Sequence, residues 1–162
     1  LKLRSEVLAA DIRGKYKLTQ LGTALQDLVN RYFSLGAAEQ KPSKYDPQLM
    51  VFIAQVINAP FLQQFVPDLK EMANIKLAGR FDSEAGQLLV NADAPHILYG
   101  SNSINNLQLN INTEDETLNY AVKLGQLSSS QVQLINTSIT GDAKNDSLNT
   151  DIQIRDKNNK QH

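Results

Sequence analysis

The sequence predicts a mainly β chain with two short helices (α+β), its strands forming a curved antiparallel meander. From Ile75 onward, runs of alternating apolar and polar residues are separated by short polar turns, as in hairpin-linked strands with one buried face. Only two stretches space their apolar residues at three and four, as a helix needs. The composition agrees: 41% hydrophobic residues and 20% charged, with 29 Asn and Gln, give material for a sheet with one apolar and one amide-rich face.

Leu1-x-Leu3 and Ile12-x-Gly14-x-Tyr16-x-Leu18 alternate as strands do. Thr19 is the expected cap of a first helix, whose stripe is Leu21, Leu25, Leu28, Val29, Tyr32 and Phe33, with Leu35-Gly36 as its stop. Residues 37–47, with Pro42 and Pro47, read as a loop. The apolar run 48–57 reads as a buried strand, and Asn58 and Pro60 open a short second helix through Phe61, Leu62, Phe65 and Leu69 that Pro67 interrupts. Three hairpins follow. Ile75–Phe81 returns as Leu88-x-Val90 across Asp82–Gly86, Leu107–Ile111 returns as Leu118–Leu124 across Asn112–Thr117, and Val132–Ile139 returns as Leu148–Ile154 across Gly141–Ser147. Residues 1–70 thus form a mixed strand and helix part, and 71–162 an antiparallel meander.

An apolar-x-Gly-x-apolar pattern recurs at Ile12–Tyr16, Leu77–Phe81 and Ile139–Ala143, and Leu118-Asn119 recurs as Leu148-Asn149, hinting at a stacked hairpin unit. A sheet of eight to ten strands with one aliphatic face is too wide for two short helices to cover. Either the sheet folds back on itself, or its apolar face is an open groove for an apolar guest.

Composition excludes more than it names. Sixteen basic against seventeen acidic residues give a net charge of −1, without the cationic excess that nucleic-acid binding needs. The chain has no Cys, hence no disulfide or thiolate metal site, and no apolar run long enough to span a bilayer. His96 lacks any nucleophile-elbow signature and has no other internal His as a co-ligand, so it reads as structural. Glu114-Asp115-Glu116 and Asp142…Asn145-Asp146 lack the ligand spacing of a calcium loop and read as hairpin tips. Asn136-Thr-Ser138 fits the glycosylation pattern, informative only in a secreted eukaryotic protein. The expectation is no enzyme, no cofactor and no metal.

The chain starts inside a strand-like pattern and ends in a polar tail, and so reads as a single fragment, 1–162, of a larger protein. Val7–Tyr16, Leu21–Gln26 and Asn30–Phe33, with Phe61–Leu69, Ala94-Pro95…Tyr99-Gly100 and Asn112–Tyr120, resemble the translocation and assembly module family (TamB-like), within the AsmA-like group of bacterial envelope proteins. The resemblance implies a U-shaped β-taco trough in the periplasm of a Gram-negative bacterium, carried by an inner-membrane-anchored parent. It also implies outer-membrane biogenesis or lipid transport, with phospholipid acyl chains or an outer-membrane β-barrel assembly partner as guests. Membrane contact would come only through parts of such a parent outside this chain.

The expected lining of an apolar groove is Leu77, Phe81, Leu88, Val90, Leu107, Leu109, Ile111, Tyr120, Val122, Ile139, Ile152 and Ile154. The alternative is a closed β-sandwich or helix-covered β scaffold for protein–protein docking. A hydrolase ranks last, for want of a nucleophile and base.

Overall fold

The computed structural model describes residues 1–34, 44–58 and 60–155. Leu35-Gly36, most of the loop 37–47 and residues 156–162 of the polar tail lie outside these residues, but the first helix already ends at Asn30, earlier than the stop expected at Leu35-Gly36. Ten strands form one antiparallel sheet: β1 (Lys2–Arg4), β2 (Leu8–Lys15), β3 (Leu49–Val56), β4 (Leu69–Met72), β5 (Ile75–Asp82), β6 (Gln87–Tyr99), β7 (Asn102–Glu114), β8 (Thr117–Ser128), β9 (Gln133–Lys144) and β10 (Ser147–Arg155). The spatial order is β1-β2-β3-β5-β6-β7-β8-β9-β10, with β4 paired to the far end of β6. The sheet is a curved open meander rather than two stacked sheets.

The hairpins are tighter than the sequence indicates. Strand pairing continues up to Glu114↔Thr117 and Lys144↔Ser147, leaving two-residue turns. Asp115 and Glu116 have φ of 50° and 57°, and Asn145 and Asp146 have 50° and 58°. These positive values belong to a type I′ turn, whose twist matches that of the flanking strands.

Register sets the two faces. Across the sheet, Ala10, Ala54, Leu77, Ala92, Leu109, Val122, Ile139 and Ile152 stand opposite one another in a single row. A parallel row runs Ile12, Phe52, Gly79, Val90, Ile111, Tyr120, Gly141, Thr150. Two of the recurrent glycines sit here for a packing reason. A Cβ on Gly79 would lie 2.6 Å from Phe52 Cζ, and one on Gly141 would lie 2.5 Å from Tyr120 Cζ. Each aromatic ring lies across the bare glycine of the neighbouring strand, and the Tyr120 hydroxyl reaches Thr150 Oγ1 at 2.5 Å on the strand beyond.

Polar residues dominate the opposite face, which also carries Val51, Ile53, Ala78 and Leu89. Asn112, Asn119, Asp142 and Asn149 form a cross-strand row there. Their amides link sideways: Asn119 donates to Asn112 at 3.2 Å, Asn110 to Asn91 at 2.6 Å, and Asn149 to the Asp142 carboxylate at 3.0 Å. The Leu118-Asn119 and Leu148-Asn149 repeats are the same two rows met two strands apart.

Beyond Ala94 the apolar residues change step. Ala94 pairs with Leu107, and the next aliphatic pair is Ile97↔Ile104, three residues on. An odd step would move the aliphatics to the other face of a regular strand. Between the two pairs the ladder skips a position, where Asn106 has φ 54°, and Asn136 repeats this on β9 with φ 48°. A left-handed residue at an irregular step restores the phase. Asn136 thus has a backbone role beyond the motif that first singled it out.

Helix α1 (Leu18–Asn30) is inserted between β2 and β3. Thr19 does not cap it. The N-cap position is Lys17, and its backbone N–H donates to the Gln48 side-chain oxygen at 2.7 Å. Gln48 is itself buried, its backbone N–H donating to Ser83 Oγ (2.8 Å) and its Nε2 donating to the Asp46 carbonyl (2.6 Å). A residue 31 positions downstream therefore does the capping. The helical stripe is also rotated from the expected one. Ala24, Leu28 and Tyr32 are buried while Leu25 is 41% exposed, because the helix faces the hairpin tips rather than a flat layer. Its core partners are Phe81, Leu88 and Ala143, with Val90, Ile111 and Leu118 packed alongside.

Polar tethers fix the end of α1. Tyr32 Oη donates to the Gly86 carbonyl (3.3 Å), Asp146 N–H to the Tyr32 carbonyl (3.0 Å), and Ser34 N–H to Asp146 Oδ1 (2.8 Å). The second helix, α2 (Pro60–Phe65), ends before Pro67 as expected, while Leu69 belongs to β4. Segment 48–57 is a strand, but it is not buried on both faces, since Val51 and Ile53 are 42% and 66% exposed.

A candidate apolar groove

The residues expected to line a groove fall on one face of the sheet. Leu77, Leu109, Val122, Ile139 and Ile152 share one cross-strand row, and Val90, Ile111 and Tyr120 share the next. Leu107 follows two residues on from Leu109, and pairs with Ala94 and Leu124. Ile154 lies where the β9–β10 register shifts.

The structure divides this set in two. Phe81 and Leu88 are 3% and 8% exposed, beneath α1, with Val90 and Ile111 packed against the same cluster. These four belong to the helix-covered core. Leu77, Leu107, Leu109, Val122 and Ile139 are half-buried, away from that cluster, and Ile152 is exposed at the β10 edge.

Dimensions explain the division. Nine strands in sequence, about 4.8 Å apart, make a face about 38 Å wide. A helix of 13 residues is about 20 Å long and about 10 Å across. Rows of same-face residues are about 7 Å apart, so α1 covers the row nearest the hairpin tips and part of the next. Among the described residues no second sheet covers the remaining rows.

Sequence reasoning missed the half of this face that lies on β2 and β3. Leu8, Ala10, Ala54 and Val56 continue the rows, and Ala92 and Ala94 deepen their middle. The signal was present as alternation, but alanines carry little weight in a hydrophobic pattern. Up to the irregular step no acidic or basic residue falls on these rows. Asp11, Lys76, Arg80, Asp93, Lys123 and Asp142 all fall on the opposite face. One polar atom stands out on the apolar face: the Thr137 hydroxyl is buried and has no hydrogen-bond partner.

The polar face carries a shallow depression of about 650 Å³, bordered by Ile53, Gln55, Lys76, Asn91 and Lys123. Sheet twist makes a saddle, and each face of a saddle is hollow along one diagonal. Ala78 and Ala121 are small enough to leave that diagonal unfilled.

Nearby charges form local pairs. Arg13 donates to the Asp11 carboxylate at 2.7 Å and holds Asp11 below its ordinary value through this hydrogen bond and its charge. Lys17 does the same for Asp46. His96 Nδ1 meets Asn105 Oδ1 at 2.6 Å, and its Nε2 is 3.9 Å from a Glu71 carboxylate oxygen. Among the described residues no three His, Asp or Glu side chains gather as a metal site would need, and no helix is long and apolar enough to cross a membrane. The Asp146 carboxylate, at a hairpin tip, accepts the Ser34 N–H at 2.8 Å.

Comparisons with protein-family models, with curated proteins and with solved structures find no match to this chain.

Proposed function

We propose that this chain is a non-enzymatic segment of a periplasmic envelope-biogenesis protein, whose apolar sheet face solvates lipid acyl chains. One observation carries the reading: rows of half-buried aliphatic residues, free of charged groups, extend over strands that α1 leaves uncovered. Each methylene placed against such a surface is stabilised by about 0.8 kcal/mol. A chain of a dozen methylenes gains from this surface in proportion to the area it covers, the full value applying only to methylenes enclosed on all sides. The resemblance to TamB-like proteins supports the same role and adds the expected setting: a Gram-negative periplasm and an inner-membrane-anchored parent. A helix-covered scaffold for protein docking is the second reading, favoured by the Ala24–Leu28–Tyr32 contact of α1 with the sheet.

Fluorescent fatty-acid binding by the purified chain, with native mass spectrometry for co-purified phospholipid, tests the proposal. Leu109→Arg, in the middle of the uncovered rows, is expected to weaken probe binding at least tenfold. Gln108→Arg, on the opposite face, is expected to leave it unchanged. Both variants should keep the parental circular dichroism and melting temperature. Absence of probe binding to the parent chain, or collapse of the Leu109→Arg fold, would return the face to the role of a closed core.

A further inference from the structure

We infer, resting on the acyl-chain reading above, that Thr137 anchors the polar end of the ligand, its hydroxyl donating to the ester carbonyl of an acyl lipid on the apolar face. Register places Thr137 on β9 opposite Leu124, in a cross-strand line with Leu107 and Ala94. Ile139, two residues on, belongs to the neighbouring aliphatic row. Thr137 is 8% exposed, and its hydroxyl has no hydrogen-bond partner among the described residues. Other hydroxyls of the same face are satisfied. Thr113 Oγ1 accepts the Leu88 N–H at 2.8 Å, and the Tyr120 and Thr150 hydroxyls bond to each other.

A buried hydroxyl without a partner destabilises a fold, and valine would fill the same space without that loss. A trapped water does not account for it. Buried water needs several polar partners, and the side chains beside Thr137 on this face, Leu124 and Ile139, offer none. A ligand that brings its own acceptor does account for it. Rotation about χ1 exchanges the hydroxyl with the methyl, so the hydroxyl reaches such a ligand without movement of the backbone.

The surroundings select the acceptor. No acidic or basic residue falls on these rows up to the irregular step, so a carboxylate or phosphate there would lack a counter-charge. An ester carbonyl is uncharged and sits where the aliphatic chain joins its head. The row beside Thr137 supplies the track for that chain. From Ile139 through Leu109 to Ala10 it crosses six strand spacings, about 29 Å.

Two single-chain lipids test the anchor: myristoyl-lysophosphatidylcholine and its tetradecyl ether analogue, which has a methylene in place of the ester carbonyl. Both are held below their micelle concentration and titrated against a bound fluorescent fatty-acid probe. The parent chain is expected to bind the ester about fivefold tighter than the ether. Thr137→Val should bind both lipids alike, with parental circular dichroism, and Thr137→Ser should keep the preference. With an isotope-labelled ester carbonyl, the infrared carbonyl band should lie lower on the parent chain than on Thr137→Val. Equal affinity of the parent chain for the two lipids, or a preference that survives Thr137→Val, would overturn the anchor and leave the acyl-chain reading standing. Binding of neither lipid would overturn both.

Discussion

Replacing Leu28 by Ala removes three carbons from the contact between α1 and the hairpin tips. Leu28 is 1% exposed, in a cluster with Phe81, Leu88 and Ala143. Three buried carbons at about 0.8 kcal/mol each amount to about 2.4 kcal/mol. A residual cavity adds to this, and Leu→Ala changes in packed cores cost about 2–5 kcal/mol. The helix rests on a single sheet layer and has room to settle, which places the expectation near the lower part of that range, about 3 kcal/mol. Leu25 belongs to the same predicted stripe but is 41% exposed, so Leu25→Ala should cost under about 0.5 kcal/mol. Urea denaturation followed by circular dichroism measures both. Equal costs for the two variants, or a loss under about 1 kcal/mol at Leu28, would refute the packing of α1 described above.

Glu116→Gly relieves a left-handed residue in a type I′ turn, at φ 57°, and is expected to stabilise the chain by about 0.5–1 kcal/mol in the same denaturation assay. Thr137→Val removes a buried hydroxyl that has no partner, and should raise stability by about 1 kcal/mol, visible as a higher melting temperature. Asp11 and Asp46 are held below the ordinary carboxyl value of 3.8, each first by a hydrogen bond from its basic partner and then by that partner's charge. A depressed native pKa stabilises the fold above the unfolded value, and that contribution is lost as pH falls through the native one. Carboxyl NMR titrations should therefore show both midpoints below 3.8, and Asp46→Asn should make stability less sensitive to acid in that range.

Much of the fold is readable in local pattern because strand alternation is a two-residue property. The hairpins from Ile75 to Ile154 and the gathering of the predicted aliphatics on one face follow from it, and the second helix ends before Pro67 because proline cannot continue a helix. The cap of α1 escaped, because Gln48 reaches Lys17 across 31 positions and no local motif encodes that contact. The odd step at Asn106 and Asn136 escaped for a different reason: periodicity counts residues and does not register a left-handed backbone. The polar-face depression depends on twist summed over several strands, which no single segment carries.

By itself, the sequence determined the alternation, hence the one-sided sheet and its aliphatic residues, since side-chain direction in a strand is fixed by the backbone. It also determined the absence of cysteine and the balanced charge. Only the tertiary structure decided which aliphatics are core and which stand open. Phe81 and Leu88 lie under Leu28, while Leu109 and Val122 lie beyond the reach of a helix about 10 Å across. That division depends on where α1 lands, and the helix is placed by the long-range packing of Ala24 and Leu28 on Phe81, Leu88 and Ala143 and by the bonds of Tyr32 and Ser34 to Gly86 and Asp146, partners that no local pattern names.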